Sequence, residues 1–360
     1  MPILAHGQAW TQIPLYDSGG GPLFNYATML SRAILFYDAN RCGTGITDNC
    51  RFNWRGDCHV NDGAQVTLRS GPSVYIDARG GYHDAGDHIK FGITNAYAAS
   101  TLGWGFYEFR SEYEETGQDT WLLRAVKWAT DYFIRCHPEP DTFLYSVGSA
   151  EDHNFWGPPE LQSDVTSPRD IIVCTPSNPA SDVCGSTAAA LALMSLNYRH
   201  VDAAYADTCL SHARDLYTLG RENLGLSNGL SFYPPSIYWD DLAWGAIWLH
   251  VATGEQFYLD EFNTIIGPGC AGLDNDSSRE NGISWNNQWT QCWDAVWAGA
   301  FGAAAMATGH PAFIDQVKFN LDFLMNDCPT STAGLIYLHE WGSLRYATAA
   351  SLTALAFYND

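Results

Sequence analysis

The densest group of chemically competent side chains is the segment GGYHDAGDH at positions 80–88, where His83, Asp84, Asp87 and His88 fall within six residues. The intervening Ala-Gly pair leaves the backbone free to bend, so that both carboxylates can face one point. Two such acceptors can hold a water molecule, and one of them can remove its proton as the water attacks a substrate. The segment therefore predicts a general-base site.

Two other interpretations of these residues stay open. His83, Asp84, Asp87 and His88 together carry the side chains of a metal site. An aspartate ahead of a helix also commonly caps that helix, which would give Asp84 a structural role.

Charge and aromatic content narrow the class of partner. The chain has 360 residues and a formal net charge of −22, from 40 acidic and 18 basic residues. Such a surface repels polyanions at long range, so we expect neither nucleic acid nor an anionic membrane as a partner. Neutral sugars are unaffected, and the 14 Trp and 19 Tyr offer flat rings for sugar faces or, alternatively, for core packing.

The ten cysteines show no CxxC or zinc-type Cys/His spacing, so the sequence predicts no metal framework. They are Cys42, Cys50, Cys58, Cys136, Cys174, Cys184, Cys209, Cys270, Cys292 and Cys328. An even, dispersed set favours a few disulfides in an oxidising compartment, with pairing most expected within the group at 42, 50 and 58.

The ends of the chain and its hydropathy predict the domain organisation. Residues 1–22 lack the core of a signal peptide and finish in a Gly-rich run, which indicates an N-terminal leader or linker ahead of one domain at 23–360. No apolar run is long enough to span a membrane.

Helical periodicity dominates after a long irregular stretch at 42–93, a kind of segment that is usually functional. Ten helices are predicted, near 24–40, 94–115, 119–136, 186–200, 203–222, 239–253, 255–264, 293–308, 311–326 and 343–358. Several are rich in small residues that let helices approach closely. The pattern favours an all-α ring of helical hairpins, and no run of alternating strands is convincing.

Ordered blocks along the chain resemble glycoside hydrolase family nine, a family of cellulases and endoglucanases. The blocks are WRGD (54–57), NDG (61–63), GGYHDAGDHIKFG (80–92), DH (152–153) with Trp156 and PE (159–160), SDV (181–183) with STAAA (186–190), YWDDLAW (238–244), ATG (252–254), WT (289–290) with WD (293–294), and WGSLRYA (341–347). The resemblance runs from about residue 24 to the end, although Ser186 replaces the usual Glu.

The resemblance implies an (α/α)6 barrel, secreted and monomeric, that hydrolyses internal β-1,4-glucosidic bonds of a β-glucan with inversion. Asp87 would be the general base, and Asp84 would help to hold the water. The implied sugar-binding residues are His153, Trp156, Trp289, Trp341 and Arg345. The alternatives are core burial for the tryptophans, a hydrogen-bonded histidine at a helix end or in the core, and a buried ion pair for the arginine.

A structural calcium site is implied as well, with ligands from Ser236 (through a backbone oxygen), Asp240, Asp241 and Asp294. Clustered hard oxygens suit Ca²⁺. Asp241 stands where the family usually has Glu, and its shorter side chain reaches less far. Acids favoured at helix N-termini are the alternative explanation.

One expected block has no counterpart in these 360 residues. The resemblance places the general acid, a Glu, well beyond WGSLRYA, and a ring of six hairpins needs twelve helices rather than ten. We therefore expect a catalytic domain without its last hairpin and with weak or no activity as written; Glu340 is the alternative acid. The competing functions are a non-catalytic β-glucan-binding protein and a sugar epimerase or lyase of the same ring fold.

Overall fold

The structure is a computed structural model that describes residues 25–162, 169–267 and 288–358. The leader or linker expected at residues 1–22 and Cys270 lie outside the described residues. The helices are α1 (Tyr26–Ala39), α2 (Ile46–Asn49), α3 (Gly92–Glu108), α4 (Arg110–Glu115), α5 (Asp119–Arg135), α6 (Ser181–Tyr198), α7 (Ala203–Glu222), α8 (Trp239–Thr253), α9 (Gln256–Ile266), α10 (Trp297–Thr308), α11 (Pro311–Asp322) and α12 (Ser343–Tyr358).

The predicted all-α fold is confirmed. Ten helices of eleven or more residues occur within the described ranges, in the order that the periodicity predicts. Their boundaries differ in places: α6 begins at Ser181 rather than at 186, α10 begins at Trp297 rather than at 293, and the segment predicted at 94–115 divides at Phe109 into α3 and α4.

Helix α6 lies at the centre of the molecule, packed against α3, α7 and α8. All of its residues except Leu196 and Tyr198 are buried. Small residues make this packing possible, because a Cβ added at Gly185 would lie 2.5 Å from the backbone carbonyl of Asp241 on α8. The backbones of α6 and α8 therefore approach more closely than larger side chains would allow.

Two antiparallel sheets of two strands each accompany the helices, and the prediction of no convincing strands is wrong at these places. Strand β1 (Gly63–Thr67) pairs with β2 (Ser73–Asp77), with Gly63 opposite Asp77. Strand β3 (Phe143–Val147) pairs with β4 (Ile171–Cys174), with Phe143 opposite Cys174. Short 3₁₀ turns at Ala150–Asn154 and Pro159–Leu161 and a π turn at Phe323–Asp327 complete the described elements.

The nine cysteines that the structure describes are free and buried, so the pairing expected among Cys42, Cys50 and Cys58 is not found. The Cys50 thiol instead lies 3.3 Å from the backbone oxygen of Asp38, to which it donates. Within the described ranges, every helix is too short or too polar to cross a bilayer.

Candidate active site

The two predicted catalytic aspartates project from one short loop, the carboxylate loop, formed by residues 80–90 between β2 and α3. The loop closes on itself because the Asp84 amide donates to the Ile89 oxygen at 3.0 Å. Two backbone hydrogen bonds of 2.8 and 3.1 Å join Lys90 to Val147 of β3. Gly81 enters the loop at φ +69°, and a Cβ there would lie 2.9 Å from the Tyr132 ring. The loop is therefore held at both ends.

A buried network of ion pairs contacts the carboxylate loop at Lys90 and His88. Asp62 lies 2.7 Å from Lys90 Nζ and 2.9 Å from Arg169 Nε. Burial alone would raise the pKa of Asp62, but the two cations outweigh it and hold that pKa well below its usual range. Arg169 also donates to the backbone oxygen of His88 at 2.8 Å. Sequence reasoning missed Arg169, which no block of the resemblance contains.

Asp84 is oriented by two hydroxyl groups. The Tyr233 hydroxyl donates to its Oδ2 at 2.5 Å, and the Thr94 hydroxyl donates to its Oδ1 at 3.0 Å. Burial raises the pKa of Asp84, and these two donors oppose that shift. Helix α3 has Phe91 at its N-cap, so the interpretation of Asp84 as the helix cap is wrong. Tyr233 is a second residue that sequence reasoning missed.

The two carboxylate oxygens of Asp87 differ in their contacts, since only one of them has a described partner. Its Oδ2 lies 3.0 Å from His153 Nε2. Its Oδ1 is buried and has no hydrogen-bond partner among the described residues. Burial, and then the charge of Asp84, raise the pKa of Asp87 to about 7. A buried, unpaired oxygen on a group titrating near neutrality is the arrangement expected of a general base.

His153 and Trp156 lie next to this pair. The His153 ring stacks on Phe232 with a centroid distance of 3.8 Å and an interplanar angle of 4°. The Trp156 indole donates to the His153 backbone oxygen at 2.6 Å and is 67% exposed. The His153 side chain is 27% exposed and Trp156 is largely exposed, so core burial is wrong for both residues. His153 does stand in the last turn of the 3₁₀ helix Ala150–Asn154, as the alternative of a hydrogen-bonded helix-end histidine requires.

The three other predicted sugar-binding residues, Arg345, Trp289 and Trp341, differ in their exposure and in their contacts. Arg345 is exposed, donates to the Tyr346 hydroxyl at 2.7 Å, and lowers the pKa of Asp84 through its charge, so it is not a buried ion-pair partner. The half-buried Trp289 ring meets the Tyr346 ring edge-on at 5.2 Å. Trp341 is 79% exposed, and the described contacts include none between it and the carboxylate loop.

Comparison with known proteins decides the family. The profile of glycosyl hydrolase family 9 matches residues 26–360. The chain belongs to glycosyl hydrolase family 9. It is 34% identical to endoglucanase A of Bacillus pumilus over 93% of this chain and 50% of that protein, and 34% identical to endoglucanase 5 of Arabidopsis thaliana over 94% and 53%. The chain thus spans about half the length of these curated relatives.

Solved structures agree with this membership. The cellulase Cel9M of C. cellulolyticum superposes with a TM-score of 0.83 at 40% identity, covering 93% of this chain and 74% of that one. Endoglucanase CelQ from Clostridium thermocellum, complexed with cellotriose, superposes with a TM-score of 0.77 at 30% identity, covering 93% and 52%. The predicted (α/α)6 class is therefore confirmed for this family 9 chain.

Of the residues expected to bind calcium, Asp240 and Asp241 are buried at the start of α8, Asp294 is half-buried and Ser236 is exposed. Asp294 accepts hydrogen bonds from the Ser236 amide at 2.6 Å and the Ser236 hydroxyl at 2.8 Å. Asp240 accepts one from the Val296 amide, while its buried Oδ1 has no partner among the described residues. Burial raises the pKa of Asp240 to about 7. Burial and then the charge of Asp240 raise the pKa of Asp241 well above its usual value.

This acidic region suits a cation, because clustered carboxylates are ligands that Ca²⁺ prefers and Asp240 Oδ1 is buried without a partner among the described residues. Asp240 and Asp241 also stand in the first turn of α8, where the helix dipole favours acids, so the helix-terminus interpretation stays open as well. Ser186 and Asp241, the two positions that depart from the family pattern, contact each other, since the Ser186 hydroxyl donates to Asp241 Oδ1.

A second group of potential metal ligands includes His83 of the carboxylate loop and three residues that precede the loop in sequence. Cys42, Cys58, His59 and His83 are all buried, and their ligand atoms lie within 4.8 Å of one another. Distances between these atoms are 3.1 Å for His59 to His83, 3.6 Å for Cys42 to His59 and 3.9 Å for Cys58 to His83. We refer to them as the Cys/His cluster.

The Cys/His cluster fits Zn²⁺. Ligands roughly 2.0–2.3 Å from a tetrahedral zinc lie roughly 3.3–3.8 Å apart, close to the distances observed. His59 Nε2 lies 2.6 Å from Gln162 Oε1, a contact that orients the ring as metal-bound histidines require. The cluster thus offers a possible Cys/His metal site where the sequence predicts none, and that prediction stays untested until zinc binding is measured. The alternative set of His83, Asp84, Asp87 and His88 is wrong, because His88 pairs with Gln162 and Asp84 with Tyr233.

Proposed function

We propose that this family 9 chain is the catalytic part of an endoglucanase that hydrolyses internal β-1,4-glucosidic bonds with inversion. The observation that supports this most strongly is the unpaired Oδ1 of Asp87, on a carboxyl whose pKa is raised to about 7. At neutral pH about half of such groups are ionised and ready to accept a proton, which an ordinary aspartate accepts poorly.

The geometry supports a specific division of roles. His153 holds Oδ2 of Asp87, leaving Oδ1 to take a proton from a water molecule that Asp84 helps to hold. Deprotonated as it attacks, that water reaches the anomeric carbon from the face opposite the leaving oxygen, so the product is the α-anomer. Asp84 is kept in place for this by Tyr233 and Thr94.

The leaving oxygen needs a proton from a general acid. The block that the resemblance associates with this acid has no counterpart in these 360 residues, and Glu340 is exposed beside the exposed Trp341. General acids contribute about 10²–10⁴-fold to such reactions. We therefore expect the 360-residue polypeptide by itself to bind β-glucan and to hydrolyse it slowly.

We also propose that Ser236, Asp240, Asp241 and Asp294 hold a structural Ca²⁺. Its contribution would be to neutralise the buried acids at the start of α8 and to fix that helix against the segment around Asp294. No step of the hydrolysis depends on it.

The test is hydrolysis of cellohexaose followed by ¹H NMR, which reports both the rate and the anomer first released. We expect the α-anomer, with the rate reduced at least about 10²-fold in Asp87→Asn. Release of the β-anomer would overturn the inverting assignment. Equal rates for the parent and Asp87→Asn chains would overturn the role of Asp87.

Binding of cellohexaose without any release would agree with a formed cleft whose general acid has no counterpart in these 360 residues. Release by the 360-residue polypeptide that is lost in Glu340→Gln would identify Glu340 as the acid.

A further inference from the structure

A groove of about 480 Å³ borders the carboxylate loop. It touches that loop at Ala85 and Gly86, and Trp156 and Trp54 both line it. We call it the Trp54 groove. Its volume lies in the usual range for sites that hold small ligands.

Trp54 presents its ring to solvent at the groove. Its side chain is 62% exposed, and its ring packs against Phe52 with a centroid distance of 5.0 Å. Trp156, also in the groove, uses its indole N–H on the His153 backbone oxygen. The groove therefore has two accessible indole rings, and large exposed aromatic surfaces commonly mark binding sites.

The groove is preformed rather than loosely assembled. Arg55, next to Trp54, is buried and donates to Glu160 Oε1 at 2.8 Å. The amide of Gly56 donates to the same oxygen at 2.9 Å. These bonds join the segment that carries Trp54 to the segment that follows Trp156, so little ordering is needed when a ligand binds.

The chemistry of the groove favours a neutral, hydroxyl-rich ligand. Asn40 and Glu160 line it together with the indoles and supply groups that can exchange hydrogen bonds with hydroxyls. The net charge of −22 disfavours anionic ligands. Continuity with the carboxylate loop places such a ligand next to the proposed site of hydrolysis.

We propose that the Trp54 groove binds further glucosyl units of the same β-1,4-glucan chain that reaches Asp84 and Asp87, with Trp54 as a sugar-stacking residue. This inference rests on the proposed function. It implies that Trp54 acts only on chains long enough to extend from the carboxylate loop into the groove, so it sets a preference for longer glucans.

The test is isothermal titration of cellotriose, cellotetraose, cellopentaose and cellohexaose into Asp87→Asn protein, in which hydrolysis is blocked. Adding Trp54→Ala should weaken cellohexaose binding about tenfold and leave the shortest oligosaccharide that binds unchanged. Trp54→Phe, which keeps a ring for stacking, should restore most of the loss. Phe257→Ala, which removes an aromatic ring 59% exposed on α9, is the matched control and should have no effect at any length.

The outcomes separate this inference from the proposed function. If the Asp87→Asn protein binds none of the oligosaccharides, the proposed function fails. If it binds them and Trp54→Ala leaves the affinity unchanged at every length, the groove proposal fails alone. A loss that is equal at every length also overturns it, because Trp54 would then act at the carboxylate loop or on the fold; a thermal melt of each variant distinguishes those two.

Discussion

His153 Nε2 lies 3.0 Å from Oδ2 of Asp87, and the His153 ring is itself fixed by face-to-face stacking on Phe232. The contact occupies one carboxylate oxygen and leaves the other, Oδ1, buried and without a partner among the described residues. The histidine thus determines which oxygen of Asp87 is free to accept a proton, as a residue that positions the base should.

The carboxyl of Asp87 should titrate near pH 7. Burial is the larger cause of its raised pKa and the charge of Asp84 the second, so Asp84→Asn should lower the midpoint without returning it to 3.8. Since the ionised form of Asp87 is the proposed base, catalysis should increase as the pH rises through about 7. The measurement is ¹³C NMR of the aspartate carboxyls, which requires no turnover.

The exposed aspartate of the Arg199–Asp207 pair supplies the control for that titration, because Asp207→Asn should leave the Asp87 midpoint where it was. A midpoint near 4 in the parent protein would contradict the prediction.

The Cys/His cluster should bind one zinc ion per chain. Zinc that binds the folded and not the unfolded state stabilises the fold, so the melting temperature should rise on adding Zn²⁺ and fall on chelation. Cys58→Ser should abolish the bound zinc, and Gln162→Ala should weaken its binding about 10–100-fold. Native mass spectrometry gives the number of zinc ions per chain, and the melting curves give the stabilisation of the fold by bound zinc.

Cys209→Ser is the control for zinc binding, because this thiol is buried on α7 and belongs to no group of potential metal ligands in the described part of the chain. Parent protein that retains no zinc at equimolar concentration would show that the four side chains are only a packed polar core.

The sequence predicted the helices well because their periodicity and small residues are local signals. It missed β3 because the five residues of that strand, FLYSV, are all buried and show no alternation. It missed Tyr233 as a partner of Asp84 because the two lie 149 positions apart. Only the folded chain brings such residues together.

The Cys/His cluster was missed for a related reason. Its ligands come from loops, so the steps from Cys42 to Cys58, to His59 and to His83 follow none of the regular finger spacings. The adjacent Cys58-His59 pair was the available signal. The carboxylate loop, by contrast, could be found because Asp84 and Asp87 lie in one short segment.

Added Ca²⁺ should stabilise the protein more at pH 7.5 than at pH 4.5. The carboxyl of Asp240 has its pKa raised from 3.8 to about 7, so in metal-free protein its contribution to stability is fully present below pH 3.8 and is lost as the pH rises through about 7. A cation reverses that loss by stabilising the ionised form. We expect a rise in melting temperature of roughly 5 °C at the higher pH, measured by calorimetry.

Asp240→Asn should remove the calcium response and also raise the stability of the metal-free protein at pH 7.5, because a neutral side chain replaces a buried charge. An equal response to Ca²⁺ at both pH values would assign the effect to other carboxylates.

Cys174 and Cys184 should form a disulfide when the chain folds in an oxidising buffer. Their sulfur atoms lie 3.7 Å apart, between the end of β4 and the first turn of α6, and a disulfide requires about 2.05 Å, so the two thiols are already close to bonding distance. The two thiols lose two hydrogens to oxidised glutathione, which is reduced to two thiols. The bond would join the β3–β4 sheet to the central helix and stabilise the fold by about 3 kcal/mol.

Peptide mapping without reductant should find the linked pair in the parent and in Cys209→Ser, and not in Cys174→Ser. Full alkylation of both thiols after folding with oxidised glutathione would refute the bond.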